Sequence, residues 1–215
     1  MVLKLHGFTL STCTRRVAMV LKEKNVPYEL VPVDLSKGEH KAAAYTAVQP
    51  FGQVPYIVED DGFTLYESRA IARYVAVKYA AQGEKVLPPL TDVHAFAKFE
   101  QAASIELTNF DPFASGIAAE RVFKPRRGGV TDEKLVAGYV ASLKLKLDAY
   151  DVILSKSKYL AGDELTLADL FHIPYGATLK LAGVDVLEDP SRPNVVRWWK
   201  EISSRPSWLA VKDGA

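Results

Sequence analysis

The chain opens on Val2-Leu3-Lys4-Leu5-His6, a short apolar run broken by one lysine that reads as a strand. Behind it the period changes. Val17, Val20 and Leu21 recur at helical spacing after Ser11, a residue type suited to an N-cap, and this predicts a helix to about Lys24. Asn25 suits a left-handed stop and Pro27 forbids continuation. Tyr28, Leu30 and Pro32 alternate with Glu29 and Val31, predicting a second strand over 28–33. The polar stretch 36–45 predicts a short irregular helix. Strands over 54–58 and 63–65 flank the Asp60-Asp61-Gly62 turn signal. Ile71, Tyr74, Val75 and Lys78 then mark one side of a helix over 67–79. The order is βαβαββα. A helix joins the first two strands, which makes them parallel, while the last two are close enough for an antiparallel hairpin.

Residues 81–91, with Gly83 and the Pro88-Pro89 pair, have the composition of a linker. Beyond them the strand pattern vanishes. Phe96, Phe99, Ala103, Leu107 and Phe110 keep helical spacing, as do Val136, Val140, Leu143, Leu147, Tyr150 and Leu154. Helices are predicted over 167–181 and 193–204, and the basic, glycine-ended stretch 121–129 is predicted as a solvated loop. The expected organisation is an α/β domain over 1–80, a linker over 81–91 and an all-α helical domain over 92–215. Thr166-Leu167-Ala168-Asp169 has the spacing of a capping box, with Leu165 and Leu170 placed as a hydrophobic staple, so Asp169 is assigned to structure.

Composition narrows the function classes more than it names one. The 215 residues carry 27 basic and 26 acidic side chains, a net charge of +1, so no strong field steers nucleic acid or an anionic membrane to the chain. Apolar runs are too short to span a bilayer, and the first residues lack the pattern of a cleavable leader. Cys13 is the single cysteine, which rules out an internal disulfide and a cysteine-based zinc site. The expectation is a cytoplasmic protein without a metal.

Four segments have residues suited to chemistry. Ser11-Thr12-Cys13-Thr14-Arg15-Arg16 lies at the mouth of the first helix, where free amides and the helix dipole favour an anion. A hydroxyl there can donate to a bound thiolate, or it can simply cap the helix. Gln53-Val54-Pro55 leads into the third strand; a proline there marks an edge, a bulge or a cis bond, and with a cis bond an extended peptide can pair with Val54. Glu67-Ser68-Arg69 begins another helix, whose N-terminus and hydroxyl suit a carboxylate while Glu67 suits an ammonium. His40-Lys41 offers a cation for a second carboxylate.

Taken in order, these pieces resemble a cytosolic glutathione transferase: a thioredoxin-like half followed by a helical half. The blocks Pro50-Phe-Gly-Gln-Val-Pro55 and Glu67-Ser-Arg-Ala70 are similar to the phi class. The resemblance implies glutathione as co-substrate, Ser11 as the residue that activates its thiol, and Thr12 among its contacts. It implies that His40 and Lys41 bind the glycine end, that Gln53, Val54 and a cis Pro55 pair with the cysteinyl backbone, and that Glu67 and Ser68 hold the γ-glutamyl end. An apolar electrophile site lined by Leu10, Leu35, Phe113, Ile117 and Tyr175 follows from the same layout, as does a homodimer anchored by Phe51. Detoxification of electrophiles, reduction of organic hydroperoxides, and a plant or fungal source are implied as well.

Two alternatives stay open. The fold also suits a carrier of apolar small molecules with little turnover. Cys13 also sits in the first helical turn, where a thiol transferase would use a cysteine. It lies about 200° around the helix from Ser11, however, and is expected to be buried and inert.

Overall fold

The computed structural model describes residues 2–215, which separate into two compact units. The first runs to Lys85 and takes back Pro206–Ala215 from the end of the chain; the second is Val86–Arg205. The division thus falls inside the stretch expected as a linker. The last ten residues go with the α/β unit and not with the helices, because Trp208 and Val211 bury their side chains and the short helix that holds Trp208 packs on the first helix of the chain.

In the first unit, β1 (Leu3–Gly7) is followed by α1 (Thr12–Glu23) and β2 (Tyr28–Pro32). A 3-10 turn over Glu39–Lys41 and α2 (Ala43–Thr46) make up the irregular segment. Then come β3 (Tyr56–Val58), β4 (Thr64–Tyr66) and α3 (Ser68–Lys78). The sheet order is β2-β1-β3-β4, with β1 parallel to β2 and antiparallel to β3, and β3 antiparallel to β4. Leu3 and Leu5 point to one face of β1 and are buried beneath α1, where Val17, Val20 and Leu21 have no exposed surface. Close approach of helix and strand needs Gly7, since a Cβ there would lie 2.6 Å from the Thr14 side chain. Asn25 takes the left-handed backbone expected of a helix stop, at φ 52°.

The register decides where the ends meet. His6 pairs with Tyr56, Tyr56 with Tyr66, and Gly7 with Pro32. The carboxyl ends of β1, β2 and β4 and the amino end of β3 therefore share one edge of the sheet. The loops leaving that edge are the ones that hold Ser11, the 34–41 segment, Val54-Pro55 and Glu67-Ser68.

The second unit contains α4 (Val93–Asn109), α5 (Asp111–Ala118), α6 (Lys124–Arg126), α7 (Glu133–Leu154), α8 (Leu167–Phe171), α9 (Ile173–Leu181) and α10 (Pro193–Ser203). Two predictions over this region are corrected. Residues 121–129 are not a plain loop: a π-turn over Ala119–Phe123 leads into α6, whose first turn accepts Pro125 because proline needs no amide partner there. The helix expected over 167–181 breaks at His172, since Pro174 has no amide to give to the preceding turn. Thr166 and Asp169 close the predicted capping box. A last short helix, α11 (Pro206–Leu209), belongs to the first unit.

Candidate functional site: hydroxyls at two helix N-termini

Ser11 is the N-cap of α1, half-buried, with extended backbone. Its amide donates to the Phe8 carbonyl at 2.9 Å, closing a turn over residues 8–11. Its Oγ accepts the Thr14 amide at 3.3 Å. The two readings of this residue are thus compatible. The cap occupies a lone pair and leaves the hydroxyl proton to donate outward, beside the free amides of the first turn. Thr12 is buried in that turn and Cys13 is half-buried.

Ser68 is the first residue of α3 and is buried. Its Oγ accepts from Arg16 Nη1 at 2.9 Å, so this hydroxyl too has its proton left to give. Arg16 is fully buried, and the same nitrogen lies 3.5 Å from Cys13 Sγ. One guanidinium thus ties the first turn of α1 to the first turn of α3. Glu67, just ahead of Ser68, is exposed and holds φ at 70°, a left-handed value that is costly for a residue with a Cβ. Its carbonyl still accepts the Ile71 amide at 2.9 Å, so the strain falls where the chain turns from β4 into α3.

The Val54–Pro55 bond is cis. Among the described residues neither the amide nor the carbonyl of Val54 is engaged. Gln53 differs: its amide donates to Gln49 Oε1 at 3.0 Å and its carbonyl accepts the Tyr45 hydroxyl at 2.7 Å. Both backbone groups of Gln53 are held from inside, while its side chain is exposed. Burial pushes the Tyr45 hydroxyl well above the ordinary phenol range, with Tyr56 adding to it, so Tyr45 stays a donor at any working pH.

The 34–41 segment is shaped by its own side chains. The Asp34 carboxylate accepts the Ser36 and Lys37 amides, Glu39 reaches back to the Asp34 amide at 2.7 Å, and Gly38 takes φ 71° to start the 3-10 turn. Lys41 is exposed and spends one of its donors on the Phe51 carbonyl at 3.1 Å; His40 is half-buried beside it. Gly52, at φ 59°, lets the two loops touch, because a Cβ there would sit 2.8 Å from the His40 carbonyl oxygen. Phe51 is 64% exposed at the tip of this loop, edge-on to Tyr66.

Of the residues assigned to an apolar lining, Leu10 is exposed and Leu35 half-buried in the first unit. In the helical unit Phe113 and Tyr175 are half-buried, whereas Ile117 is fully enclosed and serves the core. Three positioning residues carried no role in the sequence: Arg16, Tyr45 and Gln49. A signal existed for the first, an arginine four residues before Val20 on the buried side of α1. Tyr45 and Gln49 give no such signal, since their partners depend on how the loops fold back.

No group of three or more metal-ligating side chains occurs among the described residues. Geometry of this kind defines a thioredoxin-like fold presenting two hydroxyl-bearing helix N-termini at one sheet edge, followed by a helical unit. The sequence pattern of the glutathione S-transferase N-terminal domain matches residues 10–78, and that of the C-terminal domain matches 110–206. Glutathione S-transferase PM239X14 of Arabidopsis thaliana is 51% identical over 197 residues, 91% of this chain and 89% of that protein. Glutathione transferase F7 from Populus trichocarpa superposes with a TM-score of 0.92 at 41% identity, covering 99% of this chain and 98% of that one. A maize glutathione S-transferase I, solved in complex with an atrazine glutathione conjugate, superposes at 0.88 with 33% identity over 99% of this chain and 97% of its own. The chain belongs to the glutathione transferases, and within them to the phi class.

Proposed function

We propose that this transferase ionises the thiol of glutathione at Ser11 and directs the thiolate onto apolar electrophiles. The observation that carries the reading is the division of labour at Ser11 Oγ. One lone pair goes to the Thr14 amide, at 3.3 Å, and its proton stays available to a sulfur at the mouth of α1. A charge-assisted hydrogen bond of about 1.5–3 kcal/mol lowers a thiol pKa by about one to two units. From an ordinary value near 8.5, that leaves a substantial thiolate fraction at neutral pH. Sulfur then forms a bond to the electrophilic carbon as the leaving group departs with its electron pair, and no covalent enzyme intermediate is involved. With an organic hydroperoxide the thiolate attacks the terminal oxygen instead, the O–O bond breaks and the alkoxide leaves as the alcohol; a second glutathione then displaces water from the sulfenic acid to give the disulfide.

The remaining contacts follow the chemistry of the peptide. Thr12 lies in the amide-bearing first turn with Ser11. His40 and Lys41 take the glycine carboxylate, Gln53 and Val54 with Pro55 pair with the cysteinyl backbone, and Glu67 and Ser68 take the ammonium and carboxylate of the γ-glutamyl end. The unused amide and carbonyl of Val54 support this pairing. Leu10, Leu35, Phe113 and Tyr175 are the assigned apolar side chains that keep surface for an electrophile. Phe51, an exposed aromatic on a braced loop, anchors a homodimer by entering a pocket of a second copy. The activity is placed in the cytoplasm, as electrophile detoxification.

Retention on immobilised glutathione, followed by assay with a chlorodinitrobenzene-type electrophile, tests the reading beside Ser11→Ala. Turnover that collapses in the variant while retention persists is the expected result. Retention without turnover in the parent protein would make it a carrier. Turnover that survives Ser11→Ala would move the thiol chemistry to Cys13.

A further inference from the structure

The turn that presents Ser11 is held from a direction that the reaction does not explain. Ser11 donates its amide to Phe8, which leaves Thr9 and Leu10 as the two central residues of a four-residue turn. The Thr9 carbonyl is not used by that turn. It accepts the amide of Ala215, the last residue of the chain described, at 3.1 Å. Next to it, Gly214 lies so close that a Cβ would be 2.8 Å from Thr9 Oγ1.

These contacts end a strap that runs the length of α1. At the far end of the helix, Ser207 Oγ donates to Glu23 Oε1 at 2.5 Å, a buried bond. At its first turn, Arg15 Nη1 donates to the Lys212 carbonyl at 2.6 Å, and the guanidinium lies over the Trp208 ring at 5.4 Å from its centroid. Trp208 and Val211 are buried, which seats the strap apolar side down. Val211 accepts from Gly214, and the strap then reaches Thr9. Trp208 and Val211 anchor the segment by burial. The Ala215–Thr9 bond and the bare Gly214 add nothing to that burial; what they touch is the turn before Ser11.

We propose that the C-terminal strap positions the Ser11 hydroxyl, with Ala215 and Gly214 as positioning residues that fix the 8–11 turn and so set how well Ser11 donates to a bound thiolate. The inference rests on the assignment of thiolate stabilisation to Ser11. Turning the Thr9 peptide re-aims the residue two positions on, because the Ser11 amide is bonded within the same turn. The strap itself never meets glutathione.

Replacement of Ala215 by proline removes the donor but also fixes its φ and restricts Gly214, so Gly214→Ala serves as the independent perturbation, while Ala215→Gly keeps the donor. Gly214→Ala crowds Thr9, and adding Thr9→Ala removes the crowded oxygen. The readouts are kcat/KM against pH with a chlorodinitrobenzene-type electrophile and the ultraviolet titration of the thiolate of enzyme-bound glutathione. Ala215→Pro and Gly214→Ala should move both profiles to higher pH and lower kcat/KM on their acid limb about two- to tenfold, the worth of one ordinary hydrogen bond. Ala215→Gly and the Thr9→Ala/Gly214→Ala pair should restore the parent profile. In a Ser11→Ala background the strap variants should add no further shift. If Ser11→Ala moves the profile and the strap variants do not, the strap has no positioning role. If Ser11→Ala itself leaves the profile in place, the Ser11 assignment fails and the strap inference with it. Equal shifts by the strap variants with and without Ser11 would also overturn it, since the strap would then act on some other group.

Discussion

Removing the Asp169 carboxylate should come close to unfolding the helical unit. The side chain has no exposed surface. Oδ1 accepts the Leu160 amide at 3.0 Å and the Trp198 indole N–H at 2.9 Å. Oδ2 accepts the Thr166 amide at 3.0 Å and the Thr166 hydroxyl at 3.1 Å. Asp169→Ala orphans three buried N–H groups, while the hydroxyl can rotate to another acceptor. At about 1–2 kcal/mol for each orphan the loss is about 3–6 kcal/mol, a large part of the roughly 5–15 kcal/mol that keeps a protein folded. Asp169→Asn discriminates the network from mere volume. Its single oxygen can serve Leu160 and Trp198 only by turning its NH2 toward the Thr166 amide, a donor facing a donor, so about half the loss should remain. Urea unfolding followed through tryptophan fluorescence and circular dichroism measures both. Should Asp169→Asn cost no more than the roughly 0.5 kcal/mol of an ordinary surface substitution, the hydrogen bonds would not be what holds this corner, and shape alone would suffice.

Three other outcomes are expected. Gln49→Ala frees the Gln53 amide from its 3.0 Å acceptor and should raise KM for glutathione about fivefold, the equivalent of roughly 1 kcal/mol, with kcat little changed in steady-state kinetics. Phe51→Ser tests the proposed homodimer: with its exposed anchor ring lost, the protein should run as a monomer in size-exclusion chromatography with light scattering while the parent runs as a dimer. His6, stacked on Tyr56 at 4.4 Å, has its imidazole lowered by burial and then by Lys4. A folded value below the unfolded one gives stability that is present above about 6.5 and lost as pH falls through the folded value. His6→Gln should therefore flatten the acid side of the stability profile seen in thermal melts.

Much of the α/β unit was legible because its signals are local. Ser11 as a cap, Asn25 as a stop and Asp60-Asp61-Gly62 as a turn each act within a few residues of themselves. Where the prediction departed from the structure, the cause was tertiary. Residues 121–129 look like a loop through Pro125, Gly128 and Gly129, yet Glu120 holds the segment helical: its carboxylate accepts the Asp132 amide at 2.9 Å and pairs with Lys124. The final ten residues look like a tail, and only the partners Glu23, Arg15 and Thr9, nearly the whole chain away, make them part of the first unit. Arg16 is the same case inside the site, since Ser68 is 52 positions distant. Motif blocks marked the residues proposed to meet a ligand; the residues that brace them were hidden because their spacing carries no period.

One physical rule unites the two ends of the site. A serine hydroxyl is both donor and acceptor, and a flexible one can present either to a ligand. Here Ser11 accepts from the Thr14 amide and Ser68 accepts from the Arg16 guanidinium. Each acceptor bond comes from a buried residue and leaves the hydroxyl its proton to give. Each hydroxyl also stands at the start of a helix longer than ten residues, where free amides add to the same polarity. Each hydroxyl thus has its proton left to give before any ligand arrives, and in the proposed reading an anionic sulfur and an anionic carboxylate each meet a donor. A neutral thiol gains less than a thiolate from the same donor, because a hydrogen bond to a charged acceptor is the stronger one. In the proposed reading the buried partners Thr14 and Arg16 therefore favour the ionised form from behind, each by taking up part of the acceptor side of a hydroxyl.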